Sequence, residues 1–308
     1  MGRRIMTKTN PALEYASYKI IQRYKDPQTD KVDGIRFNKM ISLLNHELLK
    51  DKKNGLDIKL PHCWYFYGDM VIRRDMPIQV RIDQTDEEPI AQVYWEGSKP
   101  KVDNKTKKKI DRKEMYLQSK YPPSCDKADV IEAVYTYAPY EFQRNFLIFR
   151  NDNKFLPQEY FKEIHQKVLQ GDFKNAVDNF PYEQFPILKV PFTKITYIIN
   201  SIFTEYPEDK QIGIDLGNKF WKIFCKFLIL DKKGSYNASN HTIKHWEKNS
   251  NEELEKYKTD LEKDVESFFK IFNPKSLRDP LLKAFLFPDD WGEGTEELSS
   301  EIDQIIYS

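Results

Sequence analysis

The sequence predicts a mainly α-helical protein of two domains, and three observations support this. Apolar residues recur at three- and four-residue intervals over most of the 308 residues, which is the period of an amphipathic helix. Residues 78–95 are the one stretch in which apolar and polar side chains alternate clearly, as they do in strands. The chain is about twice as long as an average domain, and its 20 Phe, 18 Tyr and 5 Trp provide the apolar surface that folding requires.

Two helices and a hairpin are predicted in the N-terminal half. The first helix covers Pro11–Tyr24, with its proline in the first turn, where a missing N–H group is harmless. Asp33 can cap the second helix, whose apolar stripe extends over residues 37–48. The alternating pattern of residues 78–95 predicts a β-hairpin inserted between helices.

A run of cations follows the hairpin at residues 99–113, where eight Lys or Arg face only two acids. Such charge density is typical of a solvated loop, and this loop could neutralise the phosphates of a nucleic acid. Tyr94, Trp95 and Tyr116 flank the run with rings on which bases could stack. The candidate nucleic-acid-binding residues are Lys99, Lys101, Lys105, Lys107, Lys108, Lys109, Arg112 and Lys113.

The polar stretch at residues 150–153 is the predicted boundary between domains 1–150 and 151–308. The second domain is expected to be helical, and Ser250 with Glu253 forms a capping box that predicts the start of one helix. Near the end of the chain, residues 289–303 carry seven acids and no base. Residues 289–308 are therefore predicted to form an acidic tail.

Charge and cysteine content exclude several classes of protein. The 49 Lys and Arg balance 48 Asp and Glu, which excludes a polyanion binder that is basic throughout but leaves room for a local basic face. The three cysteines are far apart and form no Cys-x-x-Cys pair, so we predict neither a disulfide framework nor a zinc ribbon. No apolar stretch is long enough for a membrane span, so we expect a reduced cytoplasmic protein without a membrane partner.

No catalytic residue, metal site or cofactor is assigned from the sequence. His241 and His245 are spaced to share one face of a helix, as zinc ligands do, but no third ligand is evident. Asp83 followed by Glu96-Gly97-Ser98-Lys99 is one residue longer than the acid and Glu-x-Lys pattern of metal-dependent nucleases. A metal-dependent nuclease therefore remains an alternative, and its candidate metal ligands are Asp83, Glu87, Glu88 and Glu96.

The most distinctive segment is residues 60–71, with the sequence LPHCWYFYGDMV. Its rings are too dense for a solvent-exposed loop, so we expect them to pack against the helix at 37–48, with Gly68 turning the chain. His62 and Cys63 are neighbours and would point to opposite faces of a strand, which argues against a Cys–His nucleophilic pair. A buried Cys63 is the expected outcome.

Residues 33–77 resemble the Panacea domain. That family shows a helix of the "KLLYLL" kind, followed by an aromatic-Tyr-Gly-Pro-x-Val segment that begins a further helix. The matching positions, which would serve as scaffold, are Phe37, Lys39, Met40, Leu43, Leu44, Trp64, Tyr67, Gly68 and Val71. Asp69 stands where the family has proline, and the hairpin with its basic loop is an insertion.

The resemblance implies a non-enzymatic protein-interaction module, namely an antitoxin or accessory protein of a toxin–antitoxin or phage-defence system. Its partner would be a toxin, bound through protein contact. Aromatic rings commonly anchor interfaces, so Trp221, Trp246 and Tyr257 are candidate anchors in the second domain. A self-associating structural subunit is a further alternative.

Overall fold

The computed structural model describes residues 10–51, 55–66, 68–83, 91–155 and 162–272, without the side chains of 151–155 and 162–166. The helices are α1 (Pro11–Tyr24), α2 (Gly34–Leu49), α3 (Asn104–Lys120), α4 (Lys127–Tyr135), α5 (Glu141–Phe155), α6 (Lys162–Asp178), α7 (Lys189–Glu205), α8 (Lys210–Leu228) and α9 (Asn240–Phe272). The strands are β1 (Val32–Asp33), β2 (His62–Tyr65), β3 (Gly68–Val71), β4 (Val80–Asp83), β5 (Gln92–Trp95) and β6 (Ser235–Tyr236). The protein is mainly α-helical, as predicted.

The chain forms two compact units. The first contains the residues up to Arg144 together with Cys225–Lys248, and the second contains Asn145–Phe224 together with the residues from Asn249 onward. The sequence predicts one boundary near residue 150 and contains no signal for the return of 225–248 to the first unit. The division at residue 150 remains a prediction.

Both N-terminal helices have side-chain caps, and the cap of α2 is the predicted one. The side-chain oxygen of Asn10 accepts a hydrogen bond from the Leu13 amide at 3.1 Å, with Pro11 as the first helical residue of α1. The Asp33 carboxylate accepts from the Arg36 amide at 3.0 Å and caps α2. The apolar stripe of α2 is buried, which confirms it as a core helix.

The prediction of a basic loop at residues 99–113 is wrong from residue 104 onward, because α3 begins there. The Asp103 carboxylate accepts from the amides of Lys105 and Thr106, both at 3.0 Å, and caps the helix. Lysine has a good intrinsic helix propensity, and Ile110 and Leu117 are buried two turns apart on one side. The charge run is thus the solvent side of an amphipathic helix.

Two antiparallel three-stranded sheets lie in the first unit. One has the order β1-β5-β4, in which Val93 pairs with both Val32 and Ile82. The hairpin predicted over residues 78–95 is therefore confirmed, and residues 84–90 lie outside the described part of the chain. The other sheet has the order β3-β2-β6, and the sequence pattern did not predict it.

The segment around Trp64 packs as scaffold, but it forms a hairpin of β2 and β3 and not the start of a helix that the Panacea resemblance implies. The Trp64 side chain is 1% exposed and meets the Tyr135 ring edge-on, with the ring centroids 5.5 Å apart. Gly68 has a φ of +86°, and a Cβ there would lie 2.8 Å from Tyr135 Cε2. Only glycine fits this turn. Tyr67 lies outside the described residues.

Stacked aromatic rings form the core of the second unit. Phe146 stacks on Trp221 at 5.0 Å between centroids, and Phe180 stacks on Phe192 at 4.1 Å. The capping box predicted at Ser250 does not start a helix, because α9 begins ten residues earlier and Ser250 is buried within it. The predicted acidic tail, residues 289–308, lies outside the described residues.

Two of the three candidate partner anchors are buried inside the protein. Trp221 and Tyr257 are 1% and 7% exposed, so neither ring offers a free surface. Trp246 is partly buried against a small cluster of Cys63, Ile72 and Ile229. Among the described helices, none combines the length and apolar character needed to cross a membrane.

Candidate functional site: the cationic face of helix α3

One side of α3 presents cations to solvent. Lys105, Lys108 and Arg112 follow each other at spacings of three and four residues, so they lie on one face of the helix, and all three are exposed. Exposed cations also precede the helix and occupy its last turn. We call the complete set the cationic face: Lys99, Lys101, Lys105, Lys108, Arg112 and Lys120.

The acids within α3 are turned away from this face and neutralised by α1. Asp111 accepts a hydrogen bond from the Tyr15 hydroxyl at 2.9 Å and lies 3.1 Å from Lys19 Nζ. The Glu114 side chain is fully buried, accepts from Arg23 Nε at 2.6 Å and lies 3.4 Å from Lys19 Nζ. Each of these carboxylates is thus matched by a cation from the neighbouring helix. The outer face keeps a positive potential as a result.

Not all of the predicted basic residues belong to this face. Lys113 Nζ donates to Glu47 at 3.1 Å, and Lys107 and Lys109 are half-buried. The other five predicted cations are exposed and form no ion pair with any described residue. Sequence reasoning missed Lys120 because it lies outside the charge run, although a helical spacing of eight from Arg112 could have identified it.

The three predicted stacking rings differ in exposure. Tyr116 is 47% exposed on α3, with Lys113 Nζ 5.9 Å from its ring centroid. Tyr94 is half-buried with Lys31 Nζ 5.5 Å from its centroid. Trp95, also half-buried, donates its indole N–H to the Ser98 carbonyl at 3.2 Å. Tyr116 is therefore the one ring of the three that stands largely free.

The acids named for a nuclease do not converge. Asp83 lies 3.2 Å from Lys31 Nζ, and Glu96 is paired with Arg81. Glu87 and Glu88 lie outside the described residues. Within the described ranges, no three His, Cys, Asp or Glu side chains are grouped as a metal ion would require. The exposed His241 instead places its Nδ1 3.2 Å from an Arg74 guanidinium nitrogen.

A second polar cluster, which we call the Asp69 cluster, lies between α2 and the β2–β3 hairpin. The fully buried Asp69 carboxylate accepts from the Ser42 hydroxyl and lies 2.6 Å from His62 Nδ1. His46 Nε2 lies 3.4 Å from the same carboxylate, close enough for an ion pair but outside hydrogen-bond geometry. Lys39 Nζ, also buried, donates to the Asp69 backbone carbonyl at 2.8 Å. The cluster thus ties α2 to the hairpin.

Electrostatics in this cluster follow from burial and close charges. Burial raises the pKa of the Asp69 carboxyl, but the adjacent His62, His46 and Ser42 side chains lower it more, so that the net pKa is below the usual range. Burial lowers the pKa of Lys39 to about 8, and the nearby Asp69 offsets part of that effect. Burial, reinforced by Asp69, raises the pKa of the Cys63 thiol to about 12.

The Asp69 cluster does not pair a nucleophile with a base. Ser42 donates its proton to the carboxylate and not to a histidine. Cys63 is held as a neutral thiol and packs against Ile72 and Ile229, as expected for a buried cysteine. Sequence reasoning assigned Asp69 no role beyond replacing a family proline, because strand pairing and the packing of α2 bring its partners together. The geometry assigns the cluster a role in holding the fold.

Comparisons of the chain with protein-family models, with curated proteins and with solved structures found no match. A function for this protein therefore has to be inferred from its own geometry and charge. Of the two polar features, the cationic face is the one that solvent and a partner can reach.

Proposed function

We propose that this protein is a cytoplasmic nucleic-acid-binding protein that grips the phosphate backbone with the cationic face of α3. One observation carries the proposal: Lys105, Lys108 and Arg112 share one exposed face of α3, from which Asp111 and Glu114 are turned away. Phosphate contacts of this kind supply most of the affinity in sequence-independent binding. The proposal requires no bound metal or cofactor.

Salt dependence is the signature of such contacts. Each phosphate neutralised by Lys or Arg releases condensed counterions, so log K for duplex DNA falls by about 0.9 per contact for each tenfold rise in salt. If three phosphate contacts are removed, the slope of log K against log salt becomes less steep by about 2.7. The affinity at 0.1 M salt then falls by about 500-fold if the affinity at 1 M salt is unchanged.

The test is a triple variant, Lys105→Ala/Lys108→Ala/Arg112→Ala, measured by fluorescence anisotropy on a labelled nucleic acid across a salt series. Alanine has the highest helix propensity, so α3 should remain folded, and circular dichroism checks this. We expect the wild-type chain to bind at 0.1 M salt. We expect the variant to bind about 500-fold more weakly at 0.1 M salt. Its plot of log K against log salt should be less steep by about 2.7.

A matched control tests whether binding depends on the cationic face or only on the net charge of the protein. Lys232, Lys256 and Lys263 are exposed lysines far from α3 in the sequence, and replacing all three by alanine changes the net charge by the same amount. This control should bind like the wild type. If the two triple variants bind equally well, or if the wild type does not bind at 50 mM salt, the proposed function is wrong.

A protein partner is the second candidate function, and the exposed apolar residues of α3 favour it. Met115 and Tyr116 are 61% and 47% exposed beside the cations, and both residue types are enriched at protein interfaces. The partner would be acidic, and the Panacea resemblance suggests a toxin. Met115→Ser/Tyr116→Ala should then abolish co-purification of a stoichiometric acidic protein from the native host while charge is unchanged. Equal recovery of such a partner by this variant and the wild type, or recovery of none by the wild type, would exclude the candidate.

A further inference from the structure

We infer that the nucleic acid held by this face is a B-form duplex, with α3 in the major groove and its cations on the phosphates of both walls. The inference rests on the proposed function and specifies its ligand. It follows from how the exposed side chains are spread along and around α3 and from the diameter of the helix.

The exposed side of α3 has a neutral centre between cations. Lys108 and Arg112 precede Met115, Tyr116 and Ser119, all exposed, and Lys120 follows. Lys108 and Lys120 are twelve residues apart, so at about 3.6 residues per turn they project about 120° apart around the helix axis. With α3 lying along a major groove about 12 Å wide, long side chains that diverge in this way reach phosphates on opposite walls. The neutral side chains between them face the groove floor.

The size of the helix fits the same groove. The 17 residues of α3 correspond to a helix about 25 Å long, about twice the groove width, so α3 fits the groove only when it lies along it. A helix with its side chains is about 10–12 Å in diameter, and the major groove admits one such helix. The major groove of A-form RNA is too narrow for this.

A single strand suits the surface less well. Proteins that bind single strands stack successive bases on several aromatic rings. Of the three rings around α3 only Tyr116 is largely exposed, and Lys113 already lies over it. Met115, Tyr116 and Ser119 also lack the amide or guanidinium groups that read base edges in pairs. We therefore expect binding to a duplex of any sequence.

The experiment compares three labelled probes by anisotropy at 0.1 M salt: a 20-bp DNA duplex, one of its strands alone, and the RNA duplex of the same sequence. We expect the DNA duplex to bind at least ten times more tightly than either other probe. A second DNA duplex of unrelated sequence should agree with the first within threefold. Lys120→Ala, which removes the contact on one wall, should weaken duplex binding about eightfold and single-strand binding less than twofold. The exposed Lys232→Ala serves as control.

The outcomes distinguish this inference from the proposed function. If the single strand or the RNA duplex binds as tightly as the DNA duplex, the inference is wrong and the proposed function stands. The same holds if Lys120→Ala weakens all three probes equally or none of them. If none of the probes binds to the wild-type chain, the proposed function itself is wrong.

Discussion

The buried carboxylate of Asp69 allows a stability prediction with a defined pH dependence. In Asp69→Asn the side chain keeps its shape but loses the charge that His62 and Ser42 contact. Removing one partner from a buried, hydrogen-bonded ionic group costs about 3–5 kcal/mol. Since domains are stable by about 5–15 kcal/mol, we expect urea unfolding at pH 7 to show a loss of this size, which is a large part of the total.

The pH dependence of this loss follows from the lowered pKa of Asp69 in the folded protein. In the unfolded chain the carboxyl titrates at its ordinary value of about 3.9. Asp69 therefore contributes its full stability above that pH and loses it as pH falls through the folded pKa. We expect the difference between wild type and Asp69→Asn to shrink as the pH falls below 4.

The exposed Glu132 on α4 provides a control of the same chemistry, and Glu132→Gln should change stability by less than 0.5 kcal/mol, the usual limit for a surface site. Two results would refute the reasoning. One is a loss below about 1 kcal/mol for Asp69→Asn at pH 7, the low end for an unsatisfied buried group. The other is a difference between the proteins that does not shrink in acid.

Two further predictions concern neighbours of Asp69. Gly68→Ala places a Cβ 2.8 Å from the Tyr135 ring at a φ of +86°, so we expect a loss of at least about 1–2 kcal/mol in urea unfolding from backbone strain alone. Gly171→Ala in α6, where a Cβ meets nothing within 4 Å, should instead stabilise by about 0.5–1 kcal/mol, and equal effects at both sites would contradict this account. Lys39 has a folded pKa of about 8, below its unfolded value of 10.5, so the unfolded chain binds more protons above pH 8 and stability should rise with pH there. The free energy of unfolding of the wild type, relative to that of Lys39→Met, should therefore rise above pH 8 with a slope that approaches about 1.4 kcal/mol per pH unit. A difference between the two proteins that is flat from pH 7 to 9 would exclude this effect of Lys39.

Local signals explain why α1 could be predicted, and α2 together with its cap. The Asp33 carboxylate and the apolar stripe behind it act within a few residues, so the sequence displays them directly. The prediction of a loop at residues 99–113 was wrong because a high density of charge was taken as evidence for a loop. The inner side of α3 includes the buried Glu114, whose carboxylate pairs with Arg23, 91 residues away in the sequence.

The Asp69 cluster could not be predicted because strand pairing creates it. Asp69 pairs directly with Trp64 in the β2–β3 hairpin, so both side chains share one face with His62, two residues before Trp64. A shift of one residue in this register would turn Asp69 to the opposite face. No pattern within residues 60–71 fixes the register, because nearly every position is apolar or aromatic. The hairpin also needs Ser42 and His46 from α2, which no local spacing connects to it.

The near-neutral total charge of +1 is compatible with a nucleic-acid-binding face because charge in this chain is segregated. Salt screens exposed charges beyond about 10 Å at 0.1 M, so acids elsewhere on the surface do not cancel the potential at α3. Acids closer than this could do so. The two within the helix, Asp111 and Glu114, lie within 3.4 Å of cations from α1. The exposed Asp103 carboxylate caps the helix and offsets one charge beside Lys105, so Lys105, Lys108 and Arg112 keep a net positive surface, which total charge alone does not reveal.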